Sequence, residues 1–167
     1  MPKSIGKGAP GLTVESSPEA AGAEVRTCTR EDLEAVQKIL SESGEAAQWS
    51  AAALYEAWVR NPELFLVACQ SNQITGFICG RMAADEGEIL NLAVKPELRR
   101  NGQGRKLTLQ LLEAFRGADL ARVFLEVRES NAIAIQFYGK LGFEPIGRRE
   151  GYYEVSKEAA LLLGMRL

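Results

Sequence analysis

The chain is 167 residues long, 46% hydrophobic and 25% charged, with a formal net charge of −2. This length suits one globular domain with its own core, and the composition excludes disordered, collagen-like and membrane-spanning classes. Histidine is absent, which removes Ser-His-Asp and Cys-His chemistry and His-ligated metals, and leaves a carboxylate, Tyr, Lys, Cys or water as general base.

Residues 1–23 read as a flexible tail, with three of the six prolines and four glycines. Such a segment buries too little surface to offset its ordering entropy. No apolar stretch follows Lys3 and Lys7, so it is not read as a secretory signal. A domain is expected over residues 24–167. Glu24–Cys28 is a short strand. Thr29 caps the next helix, with Asp32 closing a variant capping box, and Leu33, Val36, Ile39 and Leu40 recur at helical spacing. Ser50 caps a second helix carrying Leu54 and Trp58. Leu64–Cys69 and Ile74–Met82 are strands joined by a tight turn at Ser71-Asn72. Glu88–Val94 is a third, more buried strand, ended by Pro96.

Gly102 opens a helix running to about Phe115. Arg122–Val127 is a strand, and Asn131–Lys140 a helix ended near Gly142. Phe143–Arg149 and Ala159–Leu167 close the chain as strands. The order β-α-α-β-β-β-α-β-α-β-β predicts an α+β domain, a mixed, mostly antiparallel sheet with helices on both faces.

The three cysteines, Cys28, Cys69 and Cys79, are too scattered for a disulfide framework or a Cys-only zinc site. Free thiols point to a reducing, cytoplasmic setting. The slightly acidic balance argues against general nucleic-acid binding, and no metal site is expected.

The stretch Arg99-Arg100-Asn101-Gly102-Gln103-Gly104-Arg105-Lys106 joins a buried strand to an amphipathic helix. Its glycines permit a tight turn, and the first amides of the helix lack intrahelical partners. With four cations and no acid among these eight residues, this is an anion site. A dinucleotide loop needs a third glycine where Leu107 stands, and a Walker loop is absent. A solvated basic turn is the alternative.

These residues resemble the GNAT acetyltransferases. Arg99–Gly104 is similar to their pyrophosphate loop, and Asn91–Val94 to their fourth strand. Leu125–Arg128, Ser130–Ala132, Ala134-Ile135, Tyr138 and Gly142-Phe143 resemble the RimI branch, which acetylates the N-terminal amine of a ribosomal protein. Trp49-Ser50, Arg148-Arg149 and Tyr152-Tyr153 also look like that branch. Gln48 and Glu154 stand where the branch has proline.

The resemblance implies direct acetyl transfer from acetyl-CoA to a primary amine, with no metal. It implies that Leu92, Ala93 and Val94 pair through their backbones with the amide-bearing arm of the cofactor. It implies further that Arg99, Arg100, Asn101, Gly102, Gln103, Gly104 and Arg105 hold its pyrophosphate. Asn131 is then a cofactor contact, besides being a helix cap. Glu126 becomes the general base and Tyr138 the acid that protonates the departing thiolate, with Glu88 the other carboxylate in view.

An apolar run, Val123-Phe124-Leu125 then Val127, surrounds Glu126, which is the desolvated setting a base needs. An outward position paired with Arg128 is the alternative. Asn131 and Tyr138 share a helix face about 10 Å apart; a cap and a core tyrosine would look the same. Trp49, Tyr152 and Tyr153 are candidate acceptor walls or simple packing residues. A protein N-terminus is the expected acceptor. A small amine, a lysine, or a regulatory acyl-CoA-binding module without turnover remain alternatives.

Overall fold

The computed structural model describes residues 22–153 and 155–167. Most of the expected tail, and Glu154, therefore lie outside the described residues. The elements are β1 (Glu24–Thr27), α1 (Leu33–Ser41), α2 (Ala51–Arg60), β2 (Phe65–Gln70), β3 (Gln73–Ala83), β4 (Glu86–Val94), α3 (Gln103–Gly117), β5 (Arg122–Arg128), α4 (Ala132–Gly139), β6 (Glu144–Tyr153) and β7 (Glu158–Arg166). Their order is the one expected from sequence.

Local chemistry sets the boundaries. The Thr29 amide donates to Asp32 Oδ2 at 2.8 Å, and a 3-10 turn over Arg30–Asp32 leads into α1. Ser50 Oγ accepts from the Ala53 amide at 3.1 Å and starts α2. Ser71 and Asn72 both take positive φ, 50° and 61°, as a two-residue hairpin turn with right-handed strand twist requires.

Among the described residues the seven strands form one sheet, ordered β1-β2-β3-β4-β5-β7-β6. Every neighbouring pair is antiparallel except β4 and β5. A parallel pair needs a crossover, and α3 supplies it. One core lies between the sheet and α3 with α4, around Leu107, Leu111, Phe115, Leu125 and Tyr138. The other lies beneath α1 and α2, around Val36, Ile39, Leu54, Phe65 and Phe77.

Two glycines let α3 approach closely. A Cβ on Gly80 would sit 2.8 Å from the Phe115 ring, and one on Gly87 would sit 2.9 Å from it. Phe115 is fully buried against them, which fixes how α3 crosses the sheet.

β6 runs past the expected Arg149 to Tyr153, with register shifts beyond Pro145 and Arg149. Nearly all of it is exposed, so no apolar alternation marks its length. β7 inserts between β5 and β6, a placement that order along the chain does not dictate.

Candidate active site

The parallel pairing of β4 and β5 runs from Glu86 opposite Arg122 to Ile89 opposite Leu125, and stops there. Beyond that row the strands diverge. On its other side β4 stays paired to β3, but Cys79 faces Asn91 while Gly80 faces Ile89, so Leu90 is an extra residue. A bulge of this kind bends the strand and increases its twist. The result is a cleft lined on one side by Ile89–Leu92 and on the other by Leu125–Arg128, with Asn131, Ala134, Tyr138, Tyr153 and Glu45–Ala47 around its mouth.

Glu126 and Tyr138 both line this cleft, approaching it from opposite faces of the sheet. Val127 packs in the same core as Tyr138, and strand alternation turns the adjacent Glu126 to the other face. The Tyr138 ring is wedged edge-on between Phe137 and Phe143, with centroids 5.0 and 5.4 Å away. Burial pushes its phenol above the ordinary tyrosine value, so it remains a proton donor across the neutral range.

Glu126 is 15% exposed at its side chain and is ion-paired, Oε1 lying 2.8 Å from Arg149 Nη1. The alternative drawn from sequence paired it with Arg128. That arginine instead stacks over the Tyr153 ring at 3.8 Å and meets Glu158 at 3.4 Å. The register explains the exchange. Arg128, Ala160 and Arg149 form one row across three strands, and the small Ala160 leaves Arg149 room to reach across β7. Tyr152 lies beside Glu126; that carboxylate, then burial, pushes its phenol up to about 12. Arg149 and Tyr152 thus clamp the Glu126 carboxylate. Glu88 lies before the strands part, bound by Arg81 at 2.5 Å, and does not line the cleft.

The anion loop sits at the same end. Gly102, at φ +80°, is the N-cap of α3, a conformation that favours glycine. Beyond its carbonyl, which accepts from Lys106 N at 2.9 Å, the Gln103, Gly104 and Arg105 amides begin the helix without intrahelical partners. The Gln103 side chain is buried, bonded to Thr75 and Gln70, so only its backbone is available to a ligand. Arg100, Asn101 and Arg105 are exposed, and neither arginine joins an ion pair among the described residues. Lys106 is spent on the Ala23 carbonyl at 2.6 Å. Arg99 turns away, toward Val94, Ser43 and Glu45.

Leu92 lines the cleft, while the Ala93 and Val94 side chains are buried. Among the described residues, the β4 edge facing the gap has no partner strand there. Asn131 caps α4 by accepting from the Ala134 amide at 3.0 Å, and also lines the cleft. Trp49 packs into the core beneath α1 and α2, and only Tyr153 of the three aromatic candidates lines the cleft. Sequence reasoning missed Arg149, whose partner lies two strands away. It also missed Asn91, whose signal was a polar residue inside the apolar run Ile89–Val94.

An extended acyl-CoA suits these residues: an unpaired strand edge for its amide arm, then free helix amides with two uncommitted arginines for its diphosphate. Among the described residues no cluster of metal-ligating side chains occurs, and no helix is long and apolar enough to cross a membrane.

The profile of the acetyltransferase (GNAT) family matches residues 31–143. A Bacillus subtilis (strain 168) protein provisionally named a ribosomal protein bS18-alanine N-acetyltransferase is 32% identical, over 84% of this chain and 93% of its own. The crystal structure of Ard1 from Thermoplasma volcanium superimposes with a TM-score of 0.83 at 29% identity, covering 87% of this chain and 98% of Ard1. The ribosomal-protein-S18-alanine N-acetyltransferase of Escherichia coli gives 0.77 at 27% identity, covering 86% and 93%. The chain belongs to the acetyltransferase (GNAT) family and is an acetyl-CoA-dependent N-acetyltransferase.

Proposed function

We propose that the protein acetylates the N-terminal α-amine of a protein, a ribosomal protein being the substrate named for its relatives. The observation that carries this reading is the cleft between the parted β4 and β5, with Glu126 on one face and Tyr138 on the other. Acetyl-CoA supplies an acetyl group activated as a thioester.

The backbone edge of Leu92, Ala93 and Val94 holds the amide arm in the manner of an added strand. The amides of Gln103, Gly104 and Arg105, together with Arg100, Asn101 and Arg105 side chains, hold the diphosphate. Asn131 borders the arm. An incoming ammonium must lose a proton before its nitrogen can attack a carbonyl carbon. Glu126 takes that proton, directly or through one water, while Arg149 and Tyr152 keep the carboxylate in place. Tyr138 gives a proton to the sulfur as the carbon–sulfur bond breaks, and the second proton that the nitrogen sheds on becoming an amide restores the phenol through solvent. Alignment across the sheet and a desolvated setting account for the rest of the rate. The peptide enters between the Glu45–Ala47 loop and Tyr153.

The catalytic unit is residues 24–167. Free cysteines at 28, 69 and 79 suit a reducing, cytoplasmic setting.

The test offers acetyl-CoA with peptides bearing a free α-amine, the same peptides with that amine blocked and an internal lysine present, and small amines. Fragment masses locate the acetyl group. Acetylation confined to free α-amines is expected. Turnover of only lysine or small amines, or binding without turnover, overturns the reading.

A further inference from the structure

Arg99 opens the anion loop, yet its donors are already committed. Nε donates to the Val94 carbonyl at 3.1 Å, and Nη2 to Ser43 Oγ at 3.2 Å. Nη1 lies 3.4 Å from Glu45 Oε2. Ser43 is buried at 1% exposure, so Arg99 reaches into the base of the α1–α2 loop.

A second tie comes from Asn91. The Leu90 bulge shifts the side-chain phase of β4, and Asn91 faces the α1–α2 loop. It is buried and donates Nδ2 to the Ala47 carbonyl at 2.9 Å. Gln48 completes the brace, its Nε2 reaching the Leu40, Ser43 and Ala46 carbonyls. Glu45, Ala46 and Ala47 line the same cleft as Glu126.

We propose that Arg99 is a strut and not a diphosphate ligand, and that Arg99 with Asn91 positions the acceptor wall on the donor strand. Both are positioning residues; neither touches the reacting atoms. The acceptor side of the proposal rests on the function above, whereas the tie itself stands on these bonds alone. A planar fork is needed to bind a carbonyl, a hydroxyl and a carboxylate at once. Lysine offers one compact head and cannot span the three. Because the wall is anchored to β4, donor and acceptor binding share one frame, and any coupling between the two sites acts equally in both directions.

Three measurements on the full chain test this: calorimetry with CoA, hydrogen exchange of amides 43–49, and steady-state kinetics with an alanine-initiated peptide. Arg99→Ala and Arg99→Lys are compared with Arg105→Ala. For both Arg99 variants we expect CoA affinity within about twofold of wild type and faster exchange at 43–49. Peptide KM should rise about tenfold with kcat little changed. Arg105→Ala should instead weaken CoA and leave the loop's exchange alone. Asn91→Ala should match Arg99→Ala in exchange, with circular dichroism verifying that it folds. The proposal is overturned if Arg99→Ala weakens CoA binding about tenfold, if Arg99→Lys restores wild-type peptide KM, or if exchange at 43–49 is unchanged. If no peptide is acetylated by wild type, the acceptor reading fails, while calorimetry and exchange still decide the strut.

Discussion

The two banks of the cleft are built from different materials. The donor bank is backbone and core: a bulged strand, a glycine N-cap, and a helix seated by Phe115 against Gly80 and Gly87. The acceptor bank is side chains: Arg149 and Tyr152 on Glu126, Arg128 on Tyr153 and Glu158, and Arg148 on Glu129 and Glu150. Backbone devices bind what all substrates of such a reaction share, and side-chain networks bind what differs. A common cofactor therefore suits the first bank, and a selective acceptor the second.

The sharpest way to break this contrast is at the residues bridging both banks. Tyr138→Phe should lower kcat by about 10²–10⁴ while leaving CoA affinity and fold intact, because the ring packing survives. Single-turnover rates measure it, and a wild-type rate would remove the proton-donor role. Glu126→Gln should cost about 10² in kcat, with the loss reduced at high pH where more of the amine is already neutral. A pH-independent loss would assign Glu126 to positioning.

Gly80→Ala sharpens the structural half of the contrast. Its methyl would meet Phe115 at 2.8 Å and the Glu88 carbonyl at 2.9 Å. Overpacking of this kind costs about 2 kcal/mol, read from the denaturant midpoint, and should tilt α3 and weaken CoA binding. Gly102→Ala meets no atom within 4 Å among the described residues, so there only its left-handed φ is penalised, by about 1 kcal/mol.

The smallest effect is at Tyr152. Its phenol is raised to about 12, chiefly by the neighbouring Glu126 carboxylate. The neutral form is favoured in the folded chain, so that contribution to stability is complete below the ordinary value near 10 and fades as pH climbs through about 12. Glu126→Gln should bring the phenol back toward 10, followed by phenolate absorbance. An unmoved titration would dissolve the clamp.

The donor bank was legible in the sequence because its chemistry is local. Gly102, Gly104 and the cations around them are consecutive, and Ser50, Thr29 and Ser71-Asn72 act within a few residues. Glu126 stood out as a lone carboxylate within the apolar run Val123–Val127, with an outward position as the alternative. Its partner was not legible. Arg128, two residues away, was the natural candidate, but β7 lies between β5 and β6 and delivers Arg149 instead. The bulge at Leu90 was hidden for a related reason, since an extra residue shows only when the facing strand is known. The β6 arm beyond Arg149 is polar and aromatic, and its extension is set by pairing with β7, not by burial.

The parallel run of β4 and β5 has an electrostatic corollary. Each strand is followed by a helix, and two strands pointing the same way deliver both helix beginnings, at Gly102 and Asn131, to the same rim. Two positive dipole ends thus overlook one opening in a chain whose overall charge is negative. An anion approaching such a molecule is drawn toward that rim. Capture of an anionic ligand should therefore slow markedly as ionic strength rises, well before the complex itself loosens.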